Sequence, residues 1–367
     1  MRIIVATHDP ISPIRGGGGL RTLKTALELK KRGHEVLILA PSDKKSIGGI
    51  PVDALYHPSK EKSALFGSAY FSSQLFLKLL KYRDYDRFFV HNALACIPIM
   101  YYTKFFKRKI ILDATDIHTE YMRTKQSGMM LDLFSSLEYD CFNQAKTVIV
   151  VSHHMKKHLV AKGIKEKKIH VVYDGVEVKN FTSHKLKTER PIIIHHGGMD
   201  AQDGVHLIPK AAHYIKEADF LLIGSGQELN RVKAIIDHKK LRNVHLLGWK
   251  PYKEMKQYLE RAQMGLITRP DTLPNNLVLT LKLLEYWGSG TAVVASKLDA
   301  IEEVAHGEKD ILFFKPGDEQ DLARKIKILL ADKQLLRKLQ QNGRRKAVTV
   351  FNWKRLIPMI ADIVEDG

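Results

Sequence analysis

The chain has 367 residues, 44% of them hydrophobic and 27% charged, with a formal net charge of +19. The length suits two domains, and the composition is that of a soluble globular protein, which excludes a low-complexity or fibrous chain. So large a positive charge favours anionic ligands: nucleotide phosphates, acidic lipid headgroups or nucleic acid.

The opening "RIIVA" reads as a buried strand, and "PIRGGGGLRT" (Pro13 to Thr22) then sets four glycines before a helical pattern over Leu20–Arg32. Glycine there keeps side chains off the backbone, so something must approach it closely. Further strand-like runs follow in order: "EVLILA", "RFFV", "KIILD", "TVIVV" and "IHVV", then "PIIIHH", "DFLLIG", "VHLLG", "MGLIT", "TAVVAS" and "ILFF". They are short, β-branched and apolar on both faces, as buried parallel strands are. Helical patterns lie between them, at Met155–Lys162, Gly204–Lys216, Gln227–Lys239 and Asp318–Leu330. Alternation of this kind predicts α/β architecture with helices on both faces of a parallel sheet.

The rhythm breaks once, in the polar stretch "EVKNFTSHKLKTER". We therefore expect a domain over 1–178, a linker at 179–190, a second doubly wound domain over 191–345, and a closing amphipathic helix within 346–367 that returns to the first domain. A ligand is expected in the cleft that two such domains form, at the carboxyl ends of the strands. Cys96 and Cys141 carry no metal-ligand spacing and exclude a disulfide framework, which fits a reducing cytoplasm. The N-terminal apolar run is too short for a signal peptide, and Ala93–Tyr102 is about half of a membrane span.

Glycine clusters follow three strands, at Gly16–Gly19, Gly197–Gly198, and Gly224 with Gly226. None completes a dinucleotide fingerprint or continues into a P-loop, and tight strand–helix turns explain such pairs equally well. The stretch "PDTLPNNLVLTLKLLEYWGSGTAVVAS" says more. Asn275 or Asn276 reads as the N-cap of a helix running from Leu277 to Gly288. The N-terminus of a helix after a strand suits an anion, so the amides of Leu279, Thr280 and Leu281 are candidates for a diphosphate. Glu285, roughly 12 Å along that helix at 1.5 Å per residue, is placed to hold ribose hydroxyls.

Taken together, "GGGGLRTLKTALELKKRGHEVLILAPS", "AKTVIVVSHHMKKHLVAKGIKEKKIHVVYDGVEVKNF", "LLIGSGQELNRV", "VHLLGW", "LLEYWGSGTAVVASKLDAIEEV" and the terminal "FNW" resemble family 4 of the retaining glycosyltransferases, in that family's order and spacing. The resemblance implies the GT-B fold, two Rossmann-like domains facing a central cleft. It also implies transfer of a sugar from a nucleotide diphosphate sugar (UDP- or GDP-sugar) to a hydroxyl acceptor, with retention and without metal or other cofactor. His118 in "LDATDIHTEY" matches the active-site histidine, with Asp116 as a candidate to orient it. Gly16 and Gly17 would bring main chain to the donor. Glu285 would bind the donor ribose, and Lys250 lies where the nucleobase is contacted. Gly198 and Gly224 belong to the donor-side loops. The family's Arg and Lys of the second glycine loop are replaced by Gly198 and Asp203, leaving Lys282 and Arg269 to supply charge. Leu277 stands where a second glutamate is usual.

Basic residues interleaved with aromatic ones between Phe76 and Lys109 suit an anionic membrane surface, so the expected partners are a nucleotide sugar, a glycan or lipid-linked acceptor, and the inner leaflet. The protein is thus expected in the cytoplasm, peripheral on the inner face of the membrane. A non-catalytic nucleotide-sugar or glycan binding protein on the same fold is the alternative. Nucleic-acid binding rests on charge alone and is not expected.

Overall fold

The computed structural model of the chain describes residues 1–14, 16–57, 64–181 and 188–367. Half of the expected linker, residues 182–187, lies outside the described residues. The chain divides into two compact units, Met1–Asp174 with Lys354–Gly367, and Gly175–Trp353.

The first unit is built on β1 (Arg2–Thr7), β2 (Glu35–Pro41), β3 (Ser46–Ile47), β4 (Ile50–Leu55), β5 (Arg87–His91), β6 (Lys109–Ala114), β7 (Thr147–Val150) and β8 (Ile169–Val171). They form one sheet in the order β3-β4-β2-β1-β5-β6-β7-β8. All neighbours are parallel except β3 and β4, a short edge hairpin. Ile3, Ile4, Val5, Phe88, Phe89 and Val90 are fully buried, because helices cover both faces of the central strands. The edge hairpin has no counterpart in the sequence reading, since Pro51 and Asp53 interrupt its apolar pattern.

The second unit holds β9 (Ile192–Gly198), β10 (Asp219–Ser225), β11 (Val244–Gly248), β12 (Met264–Ile267), β13 (Ala292–Ser296) and β14 (Leu312–Phe314). These pair in parallel in the order β11-β10-β9-β12-β13-β14. This is the doubly wound order 3-2-1-4-5-6, whose direction reverses beside its first strand. In each unit the first strand, β1 or β9, borders the switch point, with β5 or β12 across it. The open ground beyond the carboxyl ends of those pairs is where such sheets take ligands.

The closing helix, Trp353–Asp366, carries Pro358 inside it, and from Lys354 on it belongs to the first unit. Arg32 reaches Asp362 at 2.6 Å, Glu365 at 2.7 Å and the Pro358 carbonyl at 3.0 Å. The Arg87 guanidinium donates to the carbonyls of Val364 and Glu365. Cations at the carbonyl end of a helix satisfy its last acceptors and oppose its dipole. The preceding helix, Lys333–Thr349, is separate and stays in the second unit.

Candidate active site

In the second unit the reversal of direction leaves His195, His196, Gly197 and Gly198 at the end of β9. Gly197 has φ +104°, a conformation that side chains rarely adopt, and a Cβ there would press on the Lys282 chain. Lys282 arrives from the helix Leu281–Gly288 and pairs with Asp203 at 2.7 Å, both groups largely buried. Asp203 is held below its ordinary range: burial opposes this, but the Lys282 charge and hydrogen bond prevail. Lys282, a candidate to supply charge at this corner, is thus already paired within the chain. Its charge is shared with the acid that replaces the expected lysine. Arg269, just beyond β12, donates to the Val278 carbonyl at 3.3 Å and adds positive charge near Asp203.

Glu285 lies 3.4 Å from Nε2 of His196. Burial, then the Lys282 charge, hold the His196 imidazole well below its ordinary pKa, and its buried Nε2 makes no hydrogen bond among the described residues. The ring of Tyr286 stands edge-on to His196, with centroids 5.1 Å apart. Gly224 serves this corner differently. A Cβ at Gly224 would collide with the carbonyl of Gly197 on the neighbouring strand, so close strand packing alone accounts for that glycine. Lys250 follows β11 at the sheet's edge and is half-buried, beside the exposed Trp249.

The helix expected from Leu277 is in fact two. Leu273–Leu277 is a short helix, Val278 is extended at φ −121° and ψ 120°, and the next helix begins at Leu281. Asn275 ties the carbonyls of Gln202 and Pro270, at 3.2 and 2.9 Å. Asn276 does cap a helix, but a different one: its Oδ1 accepts from the Asp299 amide at 2.9 Å. Glu285 is consequently only about 6 Å from the helix start. Thr280, at the N-cap position, makes no side-chain cap bond, unlike Ser152, Asp318 and Asp332 at other helices. Leu279 and Thr280 are buried and Leu281 half-buried, and the first-turn amides receive no hydrogen bond from the Thr280 side chain.

In the first unit the corresponding ground collects His8 and Asp9 after β1, His91 at the end of β5, and Thr115 to His118 after β6. His118 begins the helix His118–Arg123, whose first amides, at His118 and Thr119, donate to the buried Glu138 at 2.9 and 3.0 Å. Nδ1 of His118 is 3.7 Å from Glu138, while Asp116 is exposed. Burial would lower the His118 pKa; Glu138 first, then Asp116 and Asp9, hold it above the ordinary value. Glu138, which comes from the helix Met129–Gln144, joins Asp116 and Asp9 in the acidic surroundings of His118. Gly16 starts the glycine loop with open space where its Cβ would be. Gly18 and Gly19 are explained by the protein itself, because a Cβ would strike the Asp9 carboxylate at one and the Pro10 carbonyl at the other.

Residues 15–180 match the family model described as Glycosyltransferase Family 4, and 190–332 match that described as Glycosyl transferases group 1. The chain belongs to the family 4 glycosyltransferases. Among curated relatives of this glycosyltransferase is the amylovoran biosynthesis glycosyltransferase AmsK of Erwinia amylovora. It is 25% identical over 233 residues, which span 61% of this chain and 57% of that protein. The fold is GT-B. Sucrose-phosphate synthase of Thermosynechococcus elongatus superposes with a TM-score of 0.84 at 17% identity, covering 100% of this chain and 98% of its own. Anabaena HepE, solved in complex with UDP and with UDP-glucose, superposes with 0.80 over the whole of both chains, at 17% and 16% identity.

The structure of this family 4 glycosyltransferase brings Gly198, Lys282 and Glu285 together around the end of β9, with Arg269 beside Asp203. Lys250 is set apart by the width of β10. Several residues here escaped the sequence reading: His196 against Glu285, Glu138 beneath His118, and Asp9 with His91. For His196, Asp9 and His91 the signal was a polar residue at the end of an apolar strand, which ordinary loops share; Glu138, inside the helix Met129–Gln144, carried no such signal.

Proposed function

We propose that this chain transfers a sugar from a nucleoside diphosphate sugar to a hydroxyl acceptor, with retention and without a metal. The observation that carries the reading is the corner around β9. A helix start without a side-chain cap, a bare glycine backbone, the Lys282 ammonium and a carboxylate one turn along the helix meet around the end of β9. Amides around Thr280 would take the diphosphate, supported by the dipole of the helix and by Lys282 and Arg269. Glu285, one turn along the helix, would accept hydrogen bonds from the two ribose hydroxyls. His118, with its pKa raised, would donate to the sugar near the reacting carbon, where positive charge on imidazole also stabilises the departing anion. HepE's complexes with UDP and UDP-glucose support a nucleotide-sugar donor by analogy of fold.

The test is donor binding and turnover with UDP-glucose and GDP-mannose. Glu285→Ala should raise the Kd of the accepted donor by roughly 10-fold or more, the loss expected for hydrogen bonds to a charged group. His118→Ala should lower kcat by about 100-fold with a smaller change in donor Kd. An unchanged Kd in Glu285→Ala removes the nucleotide placement. One observation favours the binding-protein alternative: Asp203 already neutralises Lys282, so the loop carries less free positive charge than its family pattern. Tight donor binding with no hydrolysis or transfer would select it.

We also propose a lipid-linked acceptor at an anionic membrane surface. Phe105 is 79% exposed and Leu77 62%, and Met129 and Met130 are exposed as well. Lys81, Lys104, Lys107 and Lys109 are exposed on the same series of helices and turns. Exposed apolar side chains and exposed lysines on the same elements suit a layer of anionic headgroups over acyl chains.

A further inference from the structure

We propose that Asp9 binds a carbohydrate hydroxyl in the transfer reaction, aimed by a buried ionic relay through His91, Asp113 and Arg21; this rests on the sugar-transfer reading above. Asp9 follows β1 and His91 ends β5, so the pair spans the switch point of the first unit's sheet, where ligands of such sheets bind. Oδ2 of Asp9 is 3.3 Å from Nε2 of His91, and Nδ1 of His91 is 3.1 Å from Asp113. Asp113 takes Arg21 on both oxygens, with contacts of 2.8 to 3.1 Å. Arg21 then reaches Asp174 at 3.1 Å and the carbonyls of Val172 and Tyr173. The side chains of His91, Asp113 and Arg21 are fully buried.

The relay ends on one carboxylate that meets solvent. The Asp9 side chain is 31% exposed, with Oδ2 committed to His91. Among the described residues Oδ1 has only the His8 ring, at 3.9 Å, so it keeps lone pairs for a ligand. Burying such a chain of charges is no route to stability, since apolar residues of similar volume serve as well or better. What it provides is a carboxylate of fixed direction. Gly18 fits this account, because its missing side chain makes the space that Asp9 and His91 occupy beneath the start of the helix Gly17–Lys31. The chemistry of the ligand follows from the charge. A fixed carboxylate repels a diphosphate and accepts hydrogen bonds from a polyol. The site also adjoins His118, whose ring stands edge-on to His8 with centroids 5.5 Å apart.

The hydroxyl belongs either to the donor sugar or to the acceptor, and two arms separate these. The first compares UDP with UDP-glucose by titration calorimetry for the wild type, Asp9→Asn and His91→Gln, with melting curves as the control for folding. The second measures transfer to n-octyl β-D-glucoside. A donor-side role predicts that both variants bind UDP normally and lose UDP-glucose affinity about 10-fold. An acceptor-side role predicts unchanged donor binding and a KM for the glucoside raised about 10-fold, with kcat little altered. Either result supports the proposal, and Asp9→Glu, which retains the charge, should recover part of the loss. A lowered melting temperature with both arms unchanged overturns it and leaves the relay a structural element. A wild type that neither binds nor turns over UDP-glucose or GDP-mannose overturns the sugar-transfer reading itself, and this proposal with it.

Discussion

Arg21 occupies a position on the helix Gly17–Lys31 where its buried neighbours Thr22, Leu23, Thr25 and Ala26 call for an apolar residue. It is tolerated because Asp113 and Asp174 supply the opposing charge. His91 belongs to the same balance. Burial pushes its pKa down, but hydrogen bonds to Asp113 and Asp9 prevail and hold it up at about 9. A group whose folded pKa lies above its unfolded value stabilises the fold fully below the unfolded value, and that stability is lost as pH rises through the folded one. The wild-type melting temperature should therefore fall between pH 6.5 and 9, by an amount corresponding to a few kcal/mol. His91→Gln should flatten the profile in that window. A wild-type profile equally flat there would show that His91 is not an imidazolium.

The elements carrying the donor-side residues show how far local pattern reaches. Leu277, Leu281 and Leu284 fit a helical spacing, yet Leu277, Leu279, Leu281 and Leu283 fit an extended one. Both periods coexist, and packing resolves them by breaking the chain at Val278. The helix Leu281–Gly288 is then seated by Trp287, fully buried, with its ring over Gly343 of the helix Lys333–Thr349. A Cβ at Gly343 would lie 2.7 Å from the indole nitrogen, and closer still to the ring carbon beside it. Overpacking of that kind costs about 1–3 kcal/mol, against a gain of about 1 kcal/mol from replacing a mid-helix glycine. Gly343→Ala should therefore lower the melting temperature by a few degrees, and should weaken donor binding by displacing Glu285. A raised melting temperature would mean that Trp287 rotates away at no cost.

At the scale of the whole molecule, the exposed apolar side chains gather on the helices Ala64–Leu79, Asn92–Phe106 and Met129–Gln144 of the first unit, beside exposed lysines. No helix among the described residues is long and apolar enough to cross a membrane. Attachment through that face should depend on lipid charge and on salt, since screening at about 0.15 M ionic strength acts over roughly 8 Å. Sedimentation with vesicles containing phosphatidylglycerol should exceed that with phosphatidylcholine alone, and Phe105→Ser with Lys104→Glu should remove the difference. Equal partitioning at low salt would dismiss the membrane face.

The succession of strands and helices, the two doubly wound units and the family were legible in the residues alone, because buried parallel strands must be apolar on both faces and helices must present a periodic stripe. So was the capping chemistry of Asn276, though not which helix it caps. The tertiary structure decided whatever depends on residues distant in sequence. It paired Lys282 with Asp203, set Glu138 3.7 Å from His118, and joined Asp9 to Arg21 through His91 and Asp113. Charges attract according to distance in space, and a one-dimensional pattern records spacing along the chain but not the partner that folding brings within 3 Å.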